Sequence, residues 1–265
     1  MLPPWASGGC SIGLMRDFED STLWRVSAFE RVLHETGTSG FTRLDGVTVL
    51  PTTLLSDLRR LHRDPETNDL LEVMAACLRH REAALLCIQI GSLVWPVSLF
   101  PQAMLYHSPR DVAQAPSEGL LHARVLTTEP PGVKPPGHWM YERVAADQHY
   151  HALIPMLWDM AMRGPRRSLL TEIGGRAAYR VMPSRMASER LAATGALDSA
   201  LHRLQRDSAS LREIAGWPGM DVERASRLLN ALYLSGGLMV SRSHPSAREP
   251  PGAGRSLFRS SKLRR

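Results

Sequence analysis

Apolar residues recur every three or four positions through "STLWRVSAFERVLHETG", placing Leu23, Val26, Val32 and Leu33 along one side. That spacing predicts a helix opened by Ser21 or Thr22 and closed at Gly37. "LPTTLLSDLRRLHRD" and "PETNDLLEVMAACLRHR" keep the same period, and in the second Leu70, Val73, Met74, Cys77 and Leu78 form a stripe. The pattern changes at 83–100, "AALLCIQIGSLVWPVSLF", which is β-branched, aromatic and almost wholly apolar. Gln89, Gly91, Ser92, Pro96 and Ser98 interrupt it, so it predicts two buried strands, 84–90 and 93–100, folded into a hairpin at Gly-Ser. Further strands are predicted at 103–107 and 120–127.

Regular structure should stop at 129–137, "EPPGVKPPG", with four prolines and two glycines in nine residues. Proline removes a donor and restricts the residue before it, so this segment predicts a domain boundary. Beyond it, "HWMYERVAADQHYHALIPMLWDMAMRG" reads as one helix kinked at Pro155 or as two. "RSLLTEIGG" predicts a short helix, "AAYRVM" a strand, and "SRMASERLAATGALDSALHRLQRD" one or two further helices. The expected class is α+β. A flexible N-terminus (1–20) precedes a mixed α/β domain (21–128), the Pro/Gly linker (129–137) and a helical segment (138–195). A C-terminal unit over 196–260 and a basic tail end over 261–265 complete the chain.

That last unit has the clearest local signals. "SLREIAGW" is a short helix with Leu211 and Ile214 turned inward and Ser208 or Ser210 as cap; "PGM" is a turn. "DVERASRLLNALYLSGG" starts at Asp221, sets Val222, Ala225, Leu228, Leu229 and Leu232 on one face, and ends at Gly236–Gly237. "LMVS" is a strand, which "SLFRSS" rejoins after the break at Pro250–Gly252. Helix, tight turn, helix and hairpin make up the winged variant of helix-turn-helix. Over about 196–242 the pattern resembles the winged helix-turn-helix superfamily, and is similar to C-terminal modules of bacterial signalling and regulatory proteins of unknown function. The resemblance implies a second helix able to enter a major groove.

With the apolar face inward, Arg224, Arg227 and Asn230 are candidates for base or phosphate contacts, with Arg212 on the preceding helix. Asp221 and Glu223 at the start of the second helix would repel phosphate. Charge shifts attention to the tail. Residues 241–265 carry seven basic residues against Glu249 alone, which accounts for the whole formal charge of +6. Arg242, Arg248, Arg255 and Arg259 fall where a wing would meet the DNA backbone. DNA and a protein partner remain equally open as ligands, and a homodimer is compatible with either.

Composition excludes several classes. At 43% apolar and 22% charged residues the chain is globular, not disordered. No apolar run reaches the roughly 18 residues of a membrane span, and the N-terminus lacks the charged and apolar regions of a signal peptide. Cys10, Cys77 and Cys87 have no close metal-ligand spacing and read as reduced thiols of a cytoplasmic protein. "GCSIG" formally matches G-x-S-x-G at Ser11, but no strand precedes it to build the nucleophile turn. Asp147, His149 and His151 lie within a predicted helix that separates 149 from the other two, and His138 and His107 find no nucleophile. No phosphate loop, dinucleotide fingerprint or zinc-protease motif occurs. The expectation is a non-enzymatic regulator of transcription that binds DNA through the C-terminal unit, without catalytic residues, cofactor or metal; the alternatives are a signalling adaptor using that unit for protein contacts and an unrecognised enzyme in the N-terminal region.

Overall fold

The computed structural model describes residues 23–41, 49–63, 69–182 and 194–247. The candidate cap residues Ser21 and Thr22, the nucleophile candidate Ser11, Cys10 and the second wing strand at 256–261 lie outside the described residues.

A six-stranded antiparallel sheet forms the first half. Its strands are β1 (Trp24–Arg25), β2 (Ala84–Ile90), β3 (Leu93–Phe100), β4 (Leu105–His107), β5 (Arg124–Glu129) and β6 (Tyr150–Ala152). The order is β5-β2-β3-β4-β6, with β1 on β3. β2 and β3 are a hairpin with Ile90 opposite Leu93. Its two-residue turn uses Gly91 at φ +61°, the region that glycine enters without steric cost. Pro96 lies in a central strand, yet β1 pairs only with Leu93 and Val94 and β4 only with Ser98 to Phe100. The proline falls in the gap between them, where a missing N–H disturbs the ladder least.

The period-2 alternation of this hairpin divides two cores. Leu86, Ile88, Ile90, Trp95, Val97 and Leu99 belong to the larger one, shared with α2 (Thr52–Arg63), α3 (Leu70–His80) and α5 (Leu153–Arg163). Leu85, Cys87 and Val94 meet Phe29 of α1 (Val26–Thr36) and Phe41 on the opposite face. α3 is buried from Leu70 through Cys77 and so is enclosed rather than striped. Asp69 caps it, accepting from the Glu72 N–H. A four-residue helix, α4 (Ser117–Leu120), precedes β5.

The chain departs from expectation between 129 and 177. Within 129–137 Val133 is buried, and one core cluster runs from α2 to the C-terminal helices. The predicted long helix shrinks to α5. Pro155 sits in its first turn, where a missing N–H is harmless, and the extended Ala152 immediately precedes it. Tyr150–Ala152 instead pairs with β4 and completes the first sheet. "RSLLTEIGG" is turn, not helix; other parts of the molecule bind its backbone, as described below.

A second sheet holds β7 (Ala178–Val181), β8 (Ala209–Ser210) and β9 (Leu238–Ser241) in the antiparallel order β8-β7-β9. Against it lie α6 (Ala196–Arg206), α7 (Leu211–Ala215) and α8 (Val222–Leu234). The central strand therefore comes from ahead of the three helices, and β9 pairs with β7.

Candidate functional site

The local signals in the C-terminal unit give the predicted two helices, the turn between them and the strand that follows. Ser210 caps α7 and exchanges hydrogen bonds with Glu213 in a full capping box. Gly219 takes φ +75° in the turn, and Asp221 caps α8 by accepting from the Arg224 N–H at 2.7 Å. Ile214, Ala225, Leu228, Leu229 and Leu232 are fully buried. Val222 is the exception on the predicted face. It is 60% exposed, because the first turn of α8 projects beyond the core.

The candidate contact residues divide sharply. Arg212 and Arg224 are exposed, and Arg224 donates to the Gly219 carbonyl at 2.7 Å. Arg242 donates to the carbonyls of Gly174 and Glu172, both at 3.0 Å, holding the end of β9 to the 172–174 turn. Arg248, Arg255 and Arg259 lie outside the described residues.

Arg227 is 7% exposed. Its Nε donates to Glu223 Oε1 at 3.0 Å, and one terminal nitrogen reaches the carbonyls of Met162 and Gly164, each at 2.9 Å, and of Ala161 at 3.3 Å. These are carbonyls at the C-terminal end of α5, where the partial negative charge of a helix favours a cation. Asn230 is fully buried. Its Oδ1 accepts from the Leu170 N–H and its Nδ2 donates to the Ser168 carbonyl, both at 2.9 Å. Both candidate groove contacts thus have their polar groups engaged within the molecule, beneath α5 and the 164–170 segment.

A second polar network, which sequence reasoning missed, holds that segment from the other side. Buried Arg166 bridges Asp69 and Glu72 of the α3 start, and donates to the carbonyls of Ser168 and Leu169. Glu72 in turn accepts from the N–H and hydroxyl of Thr171, both at 2.7 Å. Burial pushes the Asp69 carboxyl above its usual range, against the pull of Arg166. Residues 166–171 thereby join α3 to α8. The composition "GPRRSLLTE" offers no sign of this, since nothing local tells a solvated arginine from one whose partners are a hundred residues away.

Beside α7 is a cleft of about 770 Å3 in which Arg176, also missed from sequence, and Arg212 face Ser210, Pro245 and Ser246. Glu213 and Ala247, the last described residue, also line it.

The histidines occupy a sheet edge, not a helix. Asp147–His149 is a 3-10 turn and His151 is in β6, with its ring 5.1 Å from Tyr106. His107 is buried 6.0 Å from His149 and 5.1 Å from Tyr150, between ring centroids. Burial, reinforced by His149 and His151, lowers its pKa to about 4. Among the described residues no group of three or more His, Cys, Asp or Glu side chains is placed to hold a metal ion. Cys77 and Cys87 are buried free thiols, and burial pushes the Cys77 thiol up to about 12. No described helix is long and apolar enough to cross a membrane.

No family model, curated protein or solved structure matches this chain.

Proposed function

We propose that the protein is a non-enzymatic, cytoplasmic regulatory adaptor acting through protein contacts. In this reading its C-terminal unit is a winged helix-turn-helix whose central strand enters from the N-terminal side. One observation carries the choice between protein and DNA: α8, the helix that would enter a major groove, is buried from Ala225 through Leu232. Reading bases would require α8 to leave α5, breaking the Arg227 and Asn230 hydrogen bonds. Only its first turn is open, and there Asp221 and Glu223 oppose phosphate.

A surface suited to a protein lies elsewhere. Trp139 is 79% exposed and Tyr141 76%, on a proline-framed loop that is internally hydrogen-bonded. The Lys134 N–H donates to the Arg143 carbonyl at 2.9 Å, and the Tyr150 hydroxyl donates to the Lys134 carbonyl while accepting from the Ala145 N–H. Large aromatic side chains held out on a rigid loop suit apolar pockets of a partner, and such residues dominate interface energetics.

Selection from a pool of randomised duplexes, followed by anisotropy titration of the full chain at two salt concentrations, tests the reading. The expected result is no enriched motif, with any residual binding steep in salt and unchanged by Arg224→Ala. A reproducible motif whose recognition fails in Arg224→Ala would return the protein to the transcription regulators. Co-purified partners from the cells that make the protein should be lost in the Trp139→Ala, Tyr141→Ala double variant.

A further inference from the structure

Among the described residues two non-glycine residues have positive φ, Arg81 at 55° and Met104 at 53°. They are far apart in sequence, yet both line one cleft of about 660 Å3, where the end of α3 and the β3–β4 turn meet the end of α8. Such backbone conformations persist only where the surroundings hold them, and they gather at ligand sites. The volume falls within the roughly 300–1,000 Å3 typical of small-molecule sites.

The lining is amphipathic. Leu78, Pro101, Met104 and Tyr233 supply apolar surface, and Met104 is 38% exposed. Arg79 and Arg81 stand at the rim with Asp57 and Glu172, and the pairing among them is uneven. Arg79 is satisfied by Asp57 and by Glu172 at 2.8 Å, and His80 also meets Asp57 at 2.8 Å. Arg81 has no ion-pair partner among the described residues, while the Gln102 amide fixes its backbone by donating to its carbonyl at 3.1 Å. Two helix C-termini face the cleft, and several of their terminal carbonyls are engaged. Leu78 O accepts from Arg81 N–H and Cys77 O from Glu82 N–H. Ala231, Leu232 and Tyr233 accept from the N–H groups of Ser235, Gly237 and Gly236. Those carbonyls are closed to a cation, and among the described residues the rim guanidinium without an ion-pair partner is that of Arg81.

We infer that this cleft binds a small amphipathic monoanion, a carboxylate seated on Arg81 with an aliphatic body over Leu78, Met104 and Tyr233. The site lies where α3 and the first sheet meet α8, so its occupant touches both halves of the fold. The inference does not depend on the adaptor reading.

Octanoate, octylamine and octanol serve as probes of the full chain by ligand-observed NMR, with the Met104 methyl resonance as the reporter of location. Octanoate should bind best, shift Met104, and weaken about tenfold in Arg81→Gly, the loss expected of one charge-assisted contact. Glycine suits the positive φ, so this variant removes the guanidinium without straining the α3 cap. Arg81→Glu should favour octylamine instead. Octanoate binding that survives Arg81→Gly undiminished, equal binding of all three probes, or an unmoved Met104 resonance would overturn the assignment.

Discussion

Arg227 shows how one side chain can change the meaning of a surface. Its charge is unusual in the interior, and it is tolerated because Glu223 and three carbonyls at the end of α5 converge on it. Arg227→Ala leaves those carbonyls under-satisfied and should cost about 2–4 kcal/mol by urea unfolding. Lysine at this position should recover only part, since it lacks the planar fork. A variant as stable as the parent would mean that the clasp contributes nothing. His107 makes a different statement. Buried neutral with a pKa lowered to about 4 from 6.5, it favours the folded state fully above pH 6.5. That contribution is lost as pH falls from 6.5 towards 4, up to about 3 kcal/mol at 1.36 kcal/mol per pH unit. Unfolding titrations at pH 7 and pH 5 should differ less in His107→Gln than in the parent; equal slopes would dismiss the linkage.

At the scale of elements, α7 and α8 are held by caps, a glycine turn and a shared core. Leu229 is fully buried, so Leu229→Ala should cost about 2–5 kcal/mol. Gly219 combines φ +75° with a neighbour, Ala196 Cβ, that would lie 2.8 Å from an added Cβ. Gly219→Ala should therefore lose about 1–2 kcal/mol from left-handed backbone strain alone, with crowding on α6 added. Thermal melts of the two variants check this, and an unshifted midpoint for Gly219→Ala would show that the turn adapts. The same scale marks the limits of pattern reading. β2 and β3 run over the predicted 84–90 and 93–100, because alternation and a two-residue glycine turn are local properties. Residues 138–152 and 165–173 carry helix-like spacing, but β4, Glu72 and Asn230 take their backbone groups. Tertiary hydrogen bonds outweigh propensities worth tenths of a kcal/mol per residue.

Over the whole molecule, the proline-rich segment joins two parts of one core. Arg166 ties residues 166–171 to α3, Asn230 ties them to α8, and Arg227 ties α8 to α5. Calorimetry of the full chain should show a single cooperative transition, and residues 138–265 made alone should not give a sharp melt, since β6 and α5 would lose their partners. A folded, cooperative 138–265 fragment would instead place a domain boundary at 129–137. The sequence by itself determined the strands of the first hairpin, the caps of α7 and α8, and the inward faces of the last two helices apart from Val222. Each of these depends on residues within a few positions of one another. Only the tertiary structure decided that β7 is the central strand of the second sheet, that α5 covers α8, and that Arg227 and Asn230 point inward. Those outcomes rest on chain closure over tens of residues and on carbonyls that converge only after folding, so a buried arginine and a DNA-reading one are spelled alike.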